Sequence, residues 1–188
     1  ATSYGIELDA IWQMTDTLTF NAATSYVDAT YDDGSIDNRF ARSSSPVLGF
    51  LGFGGPTPSC DGTTCPTDGS IGGNQVERQA PFQLTVGAEW ASQVSAFGGL
   101  DAYVRADVAY QSEREAESMN LAQVEARTIT NASAGVGRES WDVRFWVRNL
   151  TDEKYVTNSF TVLLSFGNGY GTIFGERRTA GLTATYRF

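Results

Sequence analysis

Seven segments of this chain alternate apolar and polar side chains at period two, and apart from Asp28 near the end of the second no position on the apolar side carries a charge. They cover Tyr4–Gln13, Thr17–Tyr31, Phe82–Trp90, Leu100–Tyr110, Val124–Val136, Trp141–Val147 and the final stretch Thr179–Phe188. The first places Tyr4, Ile6, Leu8, Ala10 and Trp12 on one side; the last places Ala180, Leu182, Ala184, Tyr186 and Phe188 there. The opposite sides hold Glu7, Asp9, Glu89, Asp101, Arg105, Asp107, Glu125, Arg127, Asp142, Arg144, Arg148 and Arg187. Such alternation marks strands with one face out of water. A soluble sandwich alternates in the same way, so other features must decide between water and lipid.

Three features favour lipid. Several segments run ten residues or more, whereas soluble strands cluster near ~5–6 residues and a tilted bilayer crossing takes ~9–11. The middles of the apolar sides are rich in alanine: Ala10, Ala22, Ala88, Ala102, Ala106, Ala132, Ala134 and Ala184. A soluble core needs larger side chains to reach crystal-like density, while lipid tails conform to a small residue. Aromatics sit at the segment ends, as in Tyr4 with Trp12 and Phe82 with Trp90. Eight residues at ~3.3 Å each, tilted by ~40°, span roughly 20 Å, close to the ~25 Å apolar band of an outer-membrane barrel.

The connections alternate in length. Thr15-Asp16 and Gly137–Ser140 are tight turns and 91–99 is moderately short, whereas 32–79, 112–122 and about 156–176 are long. Transmembrane barrels keep short turns on the periplasmic side and long loops outside. Seven strands do not close such a barrel, because bacterial single-chain barrels have an even number and an open edge is not tolerated in lipid. The chain starts without Met and leads straight into an alternating segment. A section of a longer protein is therefore expected, with one barrel domain over 1–188.

Composition removes other classes. The net charge is −9, so there is no electrostatic footprint for nucleic acid. The chain has no His and only two Cys, which leaves few groups for nucleophilic or metal chemistry; no enzyme, cofactor or metal site is expected. Cys60 and Cys65 lie in a Gly/Pro/Thr-rich loop. So close a pair, without other soft ligands, reads as a disulfide shaping a loop tip rather than as a zinc site.

Residues 141–155 read WDVRFWVRNLTDEKY. Asn149-Leu150-Thr151-Asp152-Glu153-Lys154-Tyr155 resembles the Asn-Leu-Phe-Asp-x-x-Tyr element near the C-terminus of TonB-dependent outer-membrane receptors, with Thr151 where the family usually has Phe. Around it, Thr130–Gly135 resembles the preceding strand, Gly175–Leu182 the Gly-x-x-Arg-x-x-Gly approach to the last strand, and Gln79–Leu84 a Pro-led strand after a large loop. Tyr186 and the terminal Phe188 resemble the signal read by the barrel assembly machinery. The resemblance implies an all-β fold: the last seven or so antiparallel strands of a barrel of about 22, with a plugged lumen. It implies a bacterial outer-membrane location and TonB-energised uptake of a scarce nutrient such as a ferric siderophore. The plug and the TonB-binding segment would lie outside this chain. The alternative is a passive outer-membrane channel or small structural barrel.

Within this frame Asn149, Leu150, Asp152 and Tyr155 are expected to fix a strand end. Arg105, Asp107, Arg127, Arg144, Trp146 and Arg148 are expected to face the lumen, as wall residues or contacts of the plug or ligand. Tyr31, Arg39, Phe40 and Arg42 in one outer loop, and Phe160 and Tyr170 in another, are the candidate ligand contacts. The expected partners are outer-membrane lipid, the assembly machinery, the TonB complex through the absent N-terminal part, and the nutrient.

Overall fold

The structure is a computed structural model and describes residues 1–37, 69–95, 98–164 and 167–188. All its elements are strands: β1 Thr2–Gln13, β2 Leu18–Thr30, β3 Phe82–Val94, β4 Leu100–Gln111, β5 Arg114–Glu115, β6 Gln123–Val124, β7 Arg127–Arg138, β8 Trp141–Arg148, β9 Val156–Leu164, β10 Gly167–Phe174 and β11 Thr179–Tyr186. Seven form one sheet in the order β1-β2-β3-β4-β7-β8-β11, and every pairing is antiparallel. β1 and β11 are the two edges, so the sheet is an open section of wall rather than a closed barrel.

Register makes the apolar side continuous. Leu18 pairs with Trp90, Trp90 with Val104, Val104 with Ala134, Ala134 with Phe145 and Phe145 with Leu182. One layer further toward the long loops, Ala88, Ala106, Ala132, Val147 and Ala180 follow one another across four pairings. A slip of one residue in β1, β3, β4 or β8 would move charges into this band. The aromatic ends are also matched: Trp12 stacks on Phe20, Phe82 packs on Tyr110 and Tyr186 on Phe188, each with ring centroids 6.0 Å apart. The band is left uncovered, with Ile6, Leu8, Val104, Phe145 and Leu182 all more than half exposed. An exposed apolar area of this extent belongs against lipid or another apolar surface.

The short turns gather at one end. Thr15 Oγ1 accepts from the backbone N–H groups of Thr17 (3.2 Å) and Leu18 (3.0 Å), closing the β1–β2 turn. Glu139-Ser140 alone joins β7 to β8. Gly98 and Gly99 take φ of 74° and 76°, a region open to glycine, and Arg138 Nη2 donates to the Gly98 carbonyl at 2.8 Å.

The water-excluded core of the described residues lies at the opposite end, under the long connections. Residues 31–37 pair with 69–76 into a neck: Tyr31 N–H donates to Asn74 O (2.9 Å), Gly73 N–H to Tyr31 O (2.8 Å), Ile71 N–H to Ser35 O (2.9 Å) and Asp37 N–H to Gly69 O (2.8 Å). The β5–β6 connection packs on this neck and buries Ile71, Ala80, Ala116, Met119 and Val124. Polar side chains complete the joint: Asn120 exchanges hydrogen bonds with the Gln75 backbone (2.7 and 2.9 Å), and the Glu117 carboxylate accepts from Met119 and Leu121 N–H.

Two sequence expectations are corrected. The fifth strand starts at Arg127: Val124 belongs to β6 and is buried in the loop core, 2 % exposed, so neither it nor Ala126 joins the apolar band. The connection expected over about 156–176 is instead the hairpin β9–β10. Its glycines, Gly167, Gly169 and Gly171, lower the strand signal. Gly171 is needed there because Phe160 lies over it: a Cβ would sit 2.5 Å from the ring.

Candidate functional site

The polar side of the sheet carries a cross-strand network that ends in the Asn149 element. Arg105 on β4 reaches Glu89 on β3 (3.5 Å), Asp107 (3.8 Å) and Asn21 Oδ1 on β2 (3.4 Å). Asp107 accepts from Asn131 Nδ2 on β7 at 2.8 Å, and Asn131 Oδ1 accepts from the Asn149 N–H at 3.1 Å. Arg105 and Asp107 are thus neutralised within the wall. Asn131, Glu89 and Asn21 were not singled out as site residues in the sequence. The available signal was their place on the polar side of β7, β3 and β2, opposite or next to the two charges.

Asn149 is 3 % exposed and has φ of 50°, which suits Asn better than most residues. Its Nδ2 donates to Glu153 O (2.9 Å) and Glu176 O (3.0 Å), and its Oδ1 accepts from Glu153 N–H (2.8 Å). One side chain therefore closes its own turn and ties it to the segment leading into β11. Leu150 N–H donates to Thr130 O on β7 at 2.7 Å. Asp152, with φ of 57°, accepts from Arg177 Nε (2.8 Å) and Nη2, and from Arg178 N–H (3.0 Å). Tyr155 packs on Gly175, where a Cβ would meet the ring at 2.0 Å, and lies under the Arg127 guanidinium at 5.0 Å from its centroid. The element joins the outer ends of β7, β8 and β11.

The hydrogen bonds from Arg177 and Arg178 hold the Asp152 carboxyl well below the ordinary 3.8. A carboxyl with a depressed folded-state value stabilises fully above its unfolded value, and that contribution is lost progressively as pH falls from the unfolded value through the folded one. The stability difference between the parent and Asp152→Asn should therefore be full at pH 7 and largely persist at pH 4. It should shrink steadily below the ordinary 3.8 and vanish only below the depressed folded-state value, as read by urea unfolding.

Trp146 is on the polar side but does not project from it. It lies over Gly181, where a Cβ would come 2.5 Å from Trp146 Cζ2; its Nε1 donates to Thr183 Oγ1 (3.1 Å), and Arg148 stacks on it at 5.1 Å. Gly181→Ala should destabilise by about 1–3 kcal/mol through overpacking, and that cost should vanish in a Trp146→Ala background. Urea unfolding of the four proteins in vesicles measures the coupling. Arg144 is exposed on the same side and pairs across to Thr183 in register.

The loop candidates separate. Tyr31 is half-buried and its hydroxyl donates to the Glu77 carboxylate, so it belongs to the neck. Phe160 and Tyr170 sit on the β9–β10 hairpin, Phe160 40 % exposed and Tyr170 half-buried. Arg39, Phe40, Arg42 and the Cys60–Cys65 pair lie outside the described residues.

Residues 1–150 match the family described as TonB dependent receptor-like, beta-barrel. No curated protein matches the chain by sequence. Among solved structures, the ferric yersiniabactin uptake receptor FyuA from Yersinia pestis superposes with a TM-score of 0.69 at 14 % identity, covering 97 % of this chain and 23 % of that one. The siderophore receptor PiuA from Acinetobacter baumannii gives 0.66 at 18 %, covering 97 % and 21 %. BauA, the ferric preacinetobactin receptor from the same species, gives 0.57 at 19 %, covering 98 % and 22 %. At these identities the likeness is one of fold, and the chain spans about a fifth of the length of each. The family match and the uncovered apolar band agree: the chain belongs to the TonB-dependent receptor β-barrel family of the bacterial outer membrane.

Proposed function

We propose that the intact protein is a TonB-energised transporter that takes up a scarce nutrient such as a ferric siderophore, and that this chain supplies part of its barrel wall and outer loops. The observation that carries the reading is the family match over residues 1–150, on a sheet whose apolar band is continuous through seven strands. The polar side lines the lumen. There Arg105 and Asp107 stiffen the wall, Trp146 lies flat against it, and Arg127, Arg144 and Arg148 face the plug or the passing ligand. Phe160 and Tyr170 on the β9–β10 hairpin, with Arg39, Phe40 and Arg42, offer aromatic and cationic contacts for the ligand, and Tyr31 holds the base of the loop that carries Arg39, Phe40 and Arg42. Tyr186 and Phe188 present the terminal strand to the assembly machinery. TonB acts through the N-terminal part, and the work is binding and gated transport without a covalent step.

Uptake of radiolabelled iron by iron-limited cells, offered separately as catecholate, hydroxamate and carboxylate complexes, tests this. At least one complex should enter only when both the gene for this protein and TonB are present. Uptake that persists without TonB would favour a passive channel, and no dependence on the gene for any complex would overturn iron as the cargo.

A further inference from the structure

Arg114 and Arg127 come together on the polar side, at the outer ends of β4 and β7. Arg127 opposes Gln111 in register, and Arg114 Nη1 donates to Gln111 Oε1 at 3.0 Å. Both arginines are half-buried. Arg114 Nη2 donates to the Thr157 carbonyl. Arg127 rests on the Tyr155 ring, and its Nη1 is buried without a hydrogen-bond partner. Every group satisfying the pair is neutral: an amide oxygen, a carbonyl and a π face. Among the described residues neither arginine forms an ion pair. Glu115 follows Arg114 but lies on the other side of β5 by strand alternation; its Oε1 accepts from Gln123 Nε2 at 2.8 Å, and its Oε2 is buried without a hydrogen-bond partner.

Two like charges held close and partly out of water raise each other's cost, because screening falls with burial. Burial first, and then the Arg127 charge, push the Arg114 guanidinium below its ordinary value. An oxyanion is the counter-charge this geometry lacks, and paired guanidinium forks match carboxylate and phosphate oxygens.

We propose that Arg114 and Arg127 form an oxyanion subsite at the mouth of the lumen, which binds a carboxylate or phosphate-type group of the incoming ligand. The inference rests on the reading of the protein as a ligand receptor and narrows its ligand to one bearing an anionic group. The occupant is a soluble ligand: the pair is on the polar side, away from the band that meets lipid, so headgroups do not reach it.

The test is calorimetric titration of the intact protein in detergent with citrate, and separately with inorganic phosphate, at constant ionic strength. Saturable citrate binding is expected, about tenfold weaker in Arg114→Gln and in Arg127→Gln, the loss of about one charge-assisted hydrogen bond. Arg114→Lys and Arg127→Lys should recover part of it, and Arg138→Gln, at the short-turn end of the sheet, should leave it unchanged. Heat-modifiable migration identifies the folded fraction of each variant; if a Gln variant does not fold, the Lys variant at that position is compared with the parent. Citrate heats no different from those of sodium chloride, or equal affinity in the parent and the arginine variants, would overturn the subsite. Calorimetry does not involve TonB: absent binding with intact TonB-dependent uptake sinks only the subsite, and intact binding without uptake sinks the transport reading.

Discussion

Asn149→Ala should be among the most damaging single changes in the chain. It removes three side-chain hydrogen bonds and leaves the Glu153 N–H and the carbonyls of Glu153 and Glu176 without that partner. Each such loss costs about 1–3 kcal/mol when the group stays out of water. The φ of 50° adds strain, since Ala tolerates the left-handed region less well than Asn. A total of about 3 kcal/mol or more follows from these effects. The expected result is a marked fall in the heat-modifiable, assembled protein in outer membranes and a lower urea midpoint for what assembles. Asn149→Asp keeps the acceptor for Glu153 N–H but loses both donations, so it should fall between. Parent-like assembly of Asn149→Ala would show that the element does not join the strand ends.

The second large effect is on the other side of the sheet. Ala106 lies at the centre of β4, paired with Ala88 and Ala132. An arginine at the midplane of a lipid-facing strand costs about 2–4 kcal/mol, falling to about 0–1 near the interfaces. Ala106→Arg should therefore lower stability in vesicles by that amount. Thr85→Arg, one strand over on the polar side, should change it little. Equal effects at the two positions would mean that the two faces meet similar surroundings.

Much of this fold was legible because two rules act at once on each spanning strand. Tyr4 to Trp12 and Ala180 to Tyr186 must keep apolar atoms on one side and charge on the other, and the period of a strand is two. The same rule fails where lipid does not impose it. Val124 continued the alternation of β7 by chance and is buried instead in the small loop core, where period carries no information about facing. Phe160 and Gly171 form a tight pair in a hairpin that stands above the band, so neither a continuous apolar side nor a run of β-branched residues marks it. The site was legible in its family element and less so in its wiring. Asn149 and Asp152 were readable from the motif. The route from Asn149 through Asn131 and Asp107 to Arg105 depends on cross-strand register, which no local window contains. Trp146 shows the same limit: its side was readable, but lying flat on the wall depends on Gly181, its partner on β11 35 positions later in the chain.

The alanine-rich side of this sheet meets lipid and the charged side meets water. Spin labels read this directly. In the intact protein in outer-membrane vesicles, with Cys60 and Cys65 replaced by Ser, single cysteines at Ala88, Ala106 and Ala132 on one side and at Thr85, Ala109 and Ser133 on the other carry a nitroxide. Accessibility to oxygen, which partitions into lipid, and to a water-soluble nickel chelate is then measured at each. Labels at Ala88, Ala106 and Ala132 should be relaxed by oxygen and shielded from nickel, and those at Thr85, Ala109 and Ser133 should not be enriched in oxygen. Loss of the alternation, or its reversal, would contradict that placement.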